Sequence, residues 1–173
     1  MKVMLILGID PGTTTTGYGL VRMEKKGYKS IKHGLIEATK NGIAGKKLSW
    51  IYKEMKRILK EYKPDVMAIE KVFFATNAKT AIRVGQAQGV MLLAASEAKV
   101  RVFEYAPGTI KKYVAGNGRA DKKEVQKAVR KTLGMHIRSK PGQKTHFDNN
   151  ADALAVAICH IEYTLLNGEK SQE

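Results

Sequence analysis

The chain has 173 residues, 43% hydrophobic and 27% charged, which is enough to bury a core without staples and ordinary for a globular domain. Its charge is not ordinary: 31 Lys and Arg against 16 Asp and Glu leave +15 at pH 7, a surplus that favours a nucleic-acid backbone as partner. A single cysteine, Cys159, excludes an internal disulfide framework and a multi-cysteine zinc site. No apolar run is long enough to span a bilayer and no lipidation signal is present, so the chain reads as cytoplasmic and free of the membrane.

Residues 4–10 form a continuous apolar run that ends in an acid, the pattern of a strand buried on both faces. Pro11-Gly12 breaks it, residues 17–22 resume as a second strand, and Lys25-Lys26-Gly27 offers a hairpin turn into a third over 30–37. The period then becomes helical over 46–62, where Leu48, Ile51, Met55, Ile58 and Leu59 share one stripe with Tyr52 and Tyr62. Pro64-Asp65 stops that helix. Residues 66–70 read as a fourth strand, 77–98 as a long helix and 100–105 as a fifth strand; helices follow over 107–114, 122–133 and 149–166. This order predicts an α/β domain over 1–166: one five-stranded mixed sheet, an antiparallel meander joined to parallel strands, flanked by helices. Residues 167–173 are expected to be a disordered tail.

Four acids stand out against this background: Asp10, Glu70, Asp148 and Asp152. Asp10 ends the first strand and Glu70 the fourth, while Asp152 opens the run Ala-Leu-Ala-Val-Ala on a helix margin. A carboxylate in such a setting is costly unless a cation compensates it. Asp148 and Asp152 are spaced i,i+4, and Asn149 and Asp152 i,i+3, so all three can share one face at the start of the last helix; an N-cap is the simpler role for Asp148. Converging carboxylates suit Mg²⁺, which takes oxygen ligands and keeps waters for phosphate to displace. Thr13 to Thr16 are either phosphate-binding hydroxyls or β-branched strand residues, the second being the commoner case. Phe73 and Phe74 follow Glu70 at once, and at least one is expected to project where it can stack on an unpaired base. Lys111, Lys112, Arg119, Lys122 and Lys123 surround Gly116-Asn117-Gly118 and are candidate phosphate contacts. His146 is a possible ligand or base, residues 138–144 read as a mobile basic loop, and His33, His136 and His160 carry no signal.

In this order and spacing the motifs resemble the RuvC family of Holliday-junction resolvases, endonucleases of RNase H-like fold, over residues 4–163. Gly-Ile-Asp10-Pro-Gly looks like the first acidic motif, Ala-Ile-Glu70-Lys-Val-Phe-Phe the second, and Ala-Asp152-Ala-Leu-Ala-Val-Ala the last. The resemblance implies a homodimer that makes paired, symmetric nicks in a four-way DNA junction, with two Mg²⁺ per subunit (Mn²⁺ substituting) and the RuvA-RuvB branch-migration complex as partner. It implies that Asp10 bridges the ions, that Glu70 and Asp152 complete the site, that Phe73 stacks near the crossover, and that Lys111 and Lys122 reach the scissile region, with Lys122 closest to catalysis. Asn77 and Arg83 join the expected DNA contacts, and Gly85, Gln86 and Gly89 the dimer-interface helix.

One position departs from the family. Asp or His usually stands three residues before the last acid, and here it is Asn149. The fourth ligand is therefore Asp148, Asn149 or His146, with Asp148 favoured. The alternatives are a junction-binding protein whose catalysis is impaired by Asn149, and a related RNase H-like nuclease acting on RNA. An actin-like ATPase, which shares Gly-Ile-Asp-Pro-Gly-Thr-Thr, needs two domains and more residues than this chain has.

Overall fold

The computed structural model describes residues 3–12, 14–38, 43–72, 78–134 and 146–168, with only the backbone considered for 146–149. The expected Phe73, Phe74 and Asn77 contacts, the 138–144 loop and most of the expected tail lie outside the described residues.

Three antiparallel strands open the chain: β1 (Met4–Asp10), β2 (Thr15–Glu24) and β3 (Gly27–Glu37). The turn between β2 and β3 is tighter than expected, only Lys25 and Lys26, because Gly27 adopts φ +123, a conformation that an L side chain resists. Helix α1 (Ala44–Tyr62) ends at Lys63, and β4 (Val66–Glu70) then pairs parallel with β1. Helix α2 (Ala78–Glu97) leads to β5 (Arg101–Tyr105), parallel to β4. Helices α3 (Pro107–Ala115), α4 (Lys122–Leu133) and α5 (His146–Asn167) complete the order. The sheet runs β3-β2-β1-β4-β5, so the five-stranded mixed sheet expected from the sequence is present, with β1 at its centre.

Period-2 alternation along the strands makes two cores, one on each face. Leu7, Ile9, Met67 and Ile69 point to α1 and α2, where Ile51, Met55 and Ile58 of the expected stripe are buried. Ile6 and Ala68 point the other way, to α5 with α3 and α4 outside it. Helix α5 is apolar nearly all round (Ala153 to Cys159 are all buried), as a helix sandwiched between a sheet and other helices must be. Helix α5 also begins earlier than expected. It starts at His146, so Asp148 lies within its first turn and is not the N-cap.

Candidate active site

Alternation decides where the first two acids go. On β1, Ile6 and Gly8 face α5, and Asp10 follows them on the same side; on β4, Ala68 does so and Glu70 follows. The parallel register sets Ile9 opposite Ile69, so Asp10 and Glu70 leave neighbouring strands side by side at their C-terminal ends. The third acid comes from α5, and Gly8 allows it to come close. A Cβ on Gly8 would run into the carbonyl oxygen of Ala153 and lie 2.6 Å from the Ala157 nitrogen. Only glycine lets the helix lie directly on the strand here, which carries Asp152 to the carboxylates. Beyond Asp10 the chain turns through Gly12, whose own missing Cβ would meet the Thr15 carbonyl; Thr15 and the buried Thr16 are strand residues, the commoner of the two roles open to them.

The cations arrive from α3 and α4. Gly116 ends α3 in the left-handed conformation, φ +77, and the loop leads to Asp121, the N-cap of α4. There the Glu124 N–H donates to Asp121 Oδ1 at 2.8 Å and the Asp121 N–H to Glu124 Oε2 at 2.7 Å, a reciprocal capping box. This anchors Lys122 as the first residue of α4, and its Nζ donates to Asp152 Oδ2 at 2.9 Å. Asp10, Glu70, Asp152, Lys111 and Lys122 thus line one pocket of about 280 Å³. Its apolar walls include Ile110, Val125, Ala155 and Val156.

Burial raises the Asp10 pKa to about 6, and the Asp152 charge adds to the rise. Glu70 is pushed further, to about 8, by burial first and then by Asp10, with which it shares a hydrogen bond. The bond favours ionised Asp10 and protonated Glu70, so Glu70 donates. With all three acids ionised the pocket would hold one negative charge beyond what its two lysines offset, and the proton on Glu70 takes up that excess. All its acidic donors are carboxylate oxygens, the set that a hard divalent cation prefers. Among the described residues no group of three or more His, Cys, Asp or Glu side chains is placed to hold a metal ion as it stands. Asp152 is engaged by Lys122, and the side chains at 146–149, where the fourth ligand is expected, lie outside the described residues. Asp10, Glu70 and Asp152 nevertheless line one pocket, brought there by two neighbouring strands and α5.

The remaining expected residues divide. Lys112, Arg119 and Lys123 are exposed around the α3–α4 loop but do not line the pocket. Arg83 is exposed on α2, where Gly85, Gln86 and Gly89 form a stripe together with Ile82 and Leu93, 59% and 52% exposed. Helical spacing puts positions 148 and 152 one turn apart on α5. Two histidines without a sequence signal have structural work. His160 is buried and held neutral, its pKa lowered to about 4 by burial and by Arg101, and its Nδ1 shares a hydrogen bond of 2.8 Å with the Tyr105 hydroxyl. His33 lies 3.1 Å from the amide nitrogen of buried Asn150, tying the start of α5 to β3. Nothing in the sequence singles out Asn150, because its partner is 117 residues away. Burial raises the Cys159 thiol to about 12, so the lone cysteine is inert.

Residues 6–160 match the family model described as crossover junction endodeoxyribonuclease RuvC. The curated protein of that description from Syntrophomonas wolfei is 46% identical over 158 residues, covering 91% of this chain and 88% of the relative. Among solved structures, Thermus thermophilus RuvC superposes with a TM-score of 0.83 at 33% identity, covering 94% of this chain and 96% of that one. T. thermophilus RuvC in complex with a Holliday junction substrate gives 0.84 at 32% identity, with the same coverage.

Proposed function

The chain belongs to the RuvC family of crossover junction endodeoxyribonucleases, and we propose that it cuts four-way DNA junctions as a homodimer whose carboxylate pockets hold Mg²⁺. The activity itself is metal-dependent endonucleolytic resolution of Holliday junctions, in recombination and repair, on an RNase H-like fold. The observation that carries the site assignment is the convergence of Asp10, Glu70 and Asp152 beside Lys111 and Lys122 at the C-terminal end of the central strands.

Asp10, Glu70 and Asp152 would hold two Mg²⁺, for which Mn²⁺ can substitute, and Asp148 would add the fourth carboxylate from one turn earlier on α5. Bound Mg²⁺ supplies activation of a water and stabilisation of the leaving oxygen in phosphodiester hydrolysis. Glu70, which shares a proton with Asp10, would have to be ionised to hold a cation. Lys122, released from Asp152, pairs with the scissile phosphate, and Lys111 flanks it; Lys112, Arg119, Lys123 and Arg83 bind the phosphates of the arms. Phe73, Phe74 and Asn77 would meet the bases and backbone at the crossover.

Resolution requires symmetric cuts, and two-fold symmetry is the direct way to place two equal sites. The stripe of Ile82, Gly85, Gln86, Gly89 and Leu93 supports α2 as the dimer face: small residues allow close approach and the two large apolar ones lack cover in the monomer. Residues 1–166 act as one nuclease domain in the cytoplasm, handed junctions by the RuvA-RuvB complex.

The test is a synthetic four-way junction labelled on opposing strands and incubated with the protein and Mg²⁺. Paired nicks at symmetric positions are expected. Junction binding in EDTA with no nicks in either Mg²⁺ or Mn²⁺ would reduce the reading to junction recognition, and recovery of cleavage by Asn149→Asp would then identify the cause.

A further inference from the structure

At the opposite end of the sheet from the carboxylates, the last turns of α1 and α2 stand over the segments leading into β4 and β5. A groove of about 900 Å³ runs between them. Strands β4 and β5 are parallel, and the groove lies before their first residues whereas Glu70 ends β4, so about 17 Å of strand separates groove from pocket. The groove's floor is apolar, made by Leu59, Pro64, Ala94, Ala98 and Val100. Its rim is cationic, with Lys53, Lys60, Lys63 and Lys99 around the central pair Lys56 and Arg57.

The two acids of the groove are already committed. Glu97 accepts from the Tyr52 hydroxyl at 2.6 Å and from Lys56 Nζ at 2.9 Å, and Asp65 Oδ2 accepts the Leu5 N–H at 2.8 Å. Arg57 is likewise paired, with Glu54 and Glu61. Lys53, Lys60, Lys63 and Lys99 form no ion pair among the described residues. Two of these four occupy unfavourable backbone: Lys63 at φ 47 and Lys99 at φ 56 are the only non-glycine residues with positive φ among those described. Glycine or asparagine would suit both turns better. Lysine at both instead places an ammonium at the exit of each helix.

We propose that this groove docks an acidic peptide segment of a partner protein, its carboxylates on the four lysines and one or two large apolar side chains on the floor. Charge complementarity selects the acidic partner, and the floor selects a peptide over a nucleic acid. Single-stranded nucleic acid is gripped by basic grooves with aromatic platforms for its bases, and none of the groove's lining residues is aromatic. A partner held here leaves the carboxylate pocket open to the junction, so docking and cleavage are compatible.

The test uses the whole chain and a short fluorescent peptide of Asp and Glu carrying two Phe residues. The same peptide with Ser for Phe and an oligodeoxythymidine of equal charge serve as comparators. Saturable binding of the Phe peptide is expected, weakened about tenfold or more in Lys53→Glu/Lys60→Glu and equally in Ala98→Trp, which fills the floor without changing charge. Junction cleavage without peptide should be unchanged in both variants. Amide shifts on binding should cluster at residues 59–65 and 94–100. Equal binding of the Ser peptide, unaltered affinity in Ala98→Trp, or shifts centred on Lys111 and Lys122 would each overturn the proposal. So would an oligonucleotide that competes the peptide off and is weakened by the same variants, since the groove would then be a nucleic-acid surface.

Discussion

Asp10, Glu70 and Asp152 each sit where an isolated carboxylate would be unfavourable, and together they line the pocket proposed as the reacting end of the molecule. Replacing any one by its amide (Asp10→Asn, Glu70→Gln or Asp152→Asn) should slow junction cleavage by roughly a thousandfold or more, about 4 kcal/mol, while gel-shift affinity in EDTA stays near wild type. If Asp148 supplies the fourth carboxylate, Asp148→Asn should show the same loss and Asn149→Ala should stay within a few-fold of wild type; the reverse pattern would transfer the role to Asn149. The proton shared by Asp10 and Glu70 also predicts how stability varies with pH. Between pH 6.5 and about 8 Glu70 is protonated in the fold but ionised in the unfolded chain, so the native state binds more protons and stability falls as pH rises. Below that window His33 and His160, whose pKa values are lowered by burial, act in the opposite sense and mask the slope. Melting temperatures in EDTA should therefore drop from pH 6.5 to 8; Mg²⁺ or Glu70→Gln should flatten the curve. The acids were legible in the sequence because apolar neighbours flank them. The Asn150–His33 contact was not, since neither residue breaks a local pattern.

Gly8 and the α4 cap do for the elements what the acids do for the chemistry. Gly8 sets the distance between β1 and α5, so Gly8→Val should displace α5 from the sheet, cost about 1–3 kcal/mol or more in denaturant unfolding, and lower the cleavage rate beyond any loss of fold. A variant that keeps wild-type activity would show that the close approach does not position Asp152. The α1 stripe and the five strands were readable because an amphipathic helix repeats every 3.6 residues and a strand every two. The start of α5 was misread by three residues, because Asp148 has the chemistry of an N-cap while the helix begins at His146. Cap residues also occur inside first turns, and local chemistry alone does not separate the two.

For the molecule as a whole, the surplus of cations and the apolar stripe on α2 are the two features on which the proposed dimer on DNA rests. Leu93→Glu should convert a dimer into monomers in sedimentation and replace paired nicks with slow, uncoupled single ones; a variant that remains dimeric would move the interface off α2. The sequence by itself determined the class of fold and the nucleic-acid partner, and it singled out the three acids that line the pocket, because burial pattern, net charge and out-of-place acids are properties that a residue shows next to its neighbours. Only the tertiary structure decided that Lys111 and Lys122 enter the pocket while Lys112, Arg119 and Lys123 stay outside, and that a basic groove lies at the far end of the sheet. Which way a charge faces depends on how α3 and α4 lie across α5, and that angle is set by contacts between residues far apart in the chain.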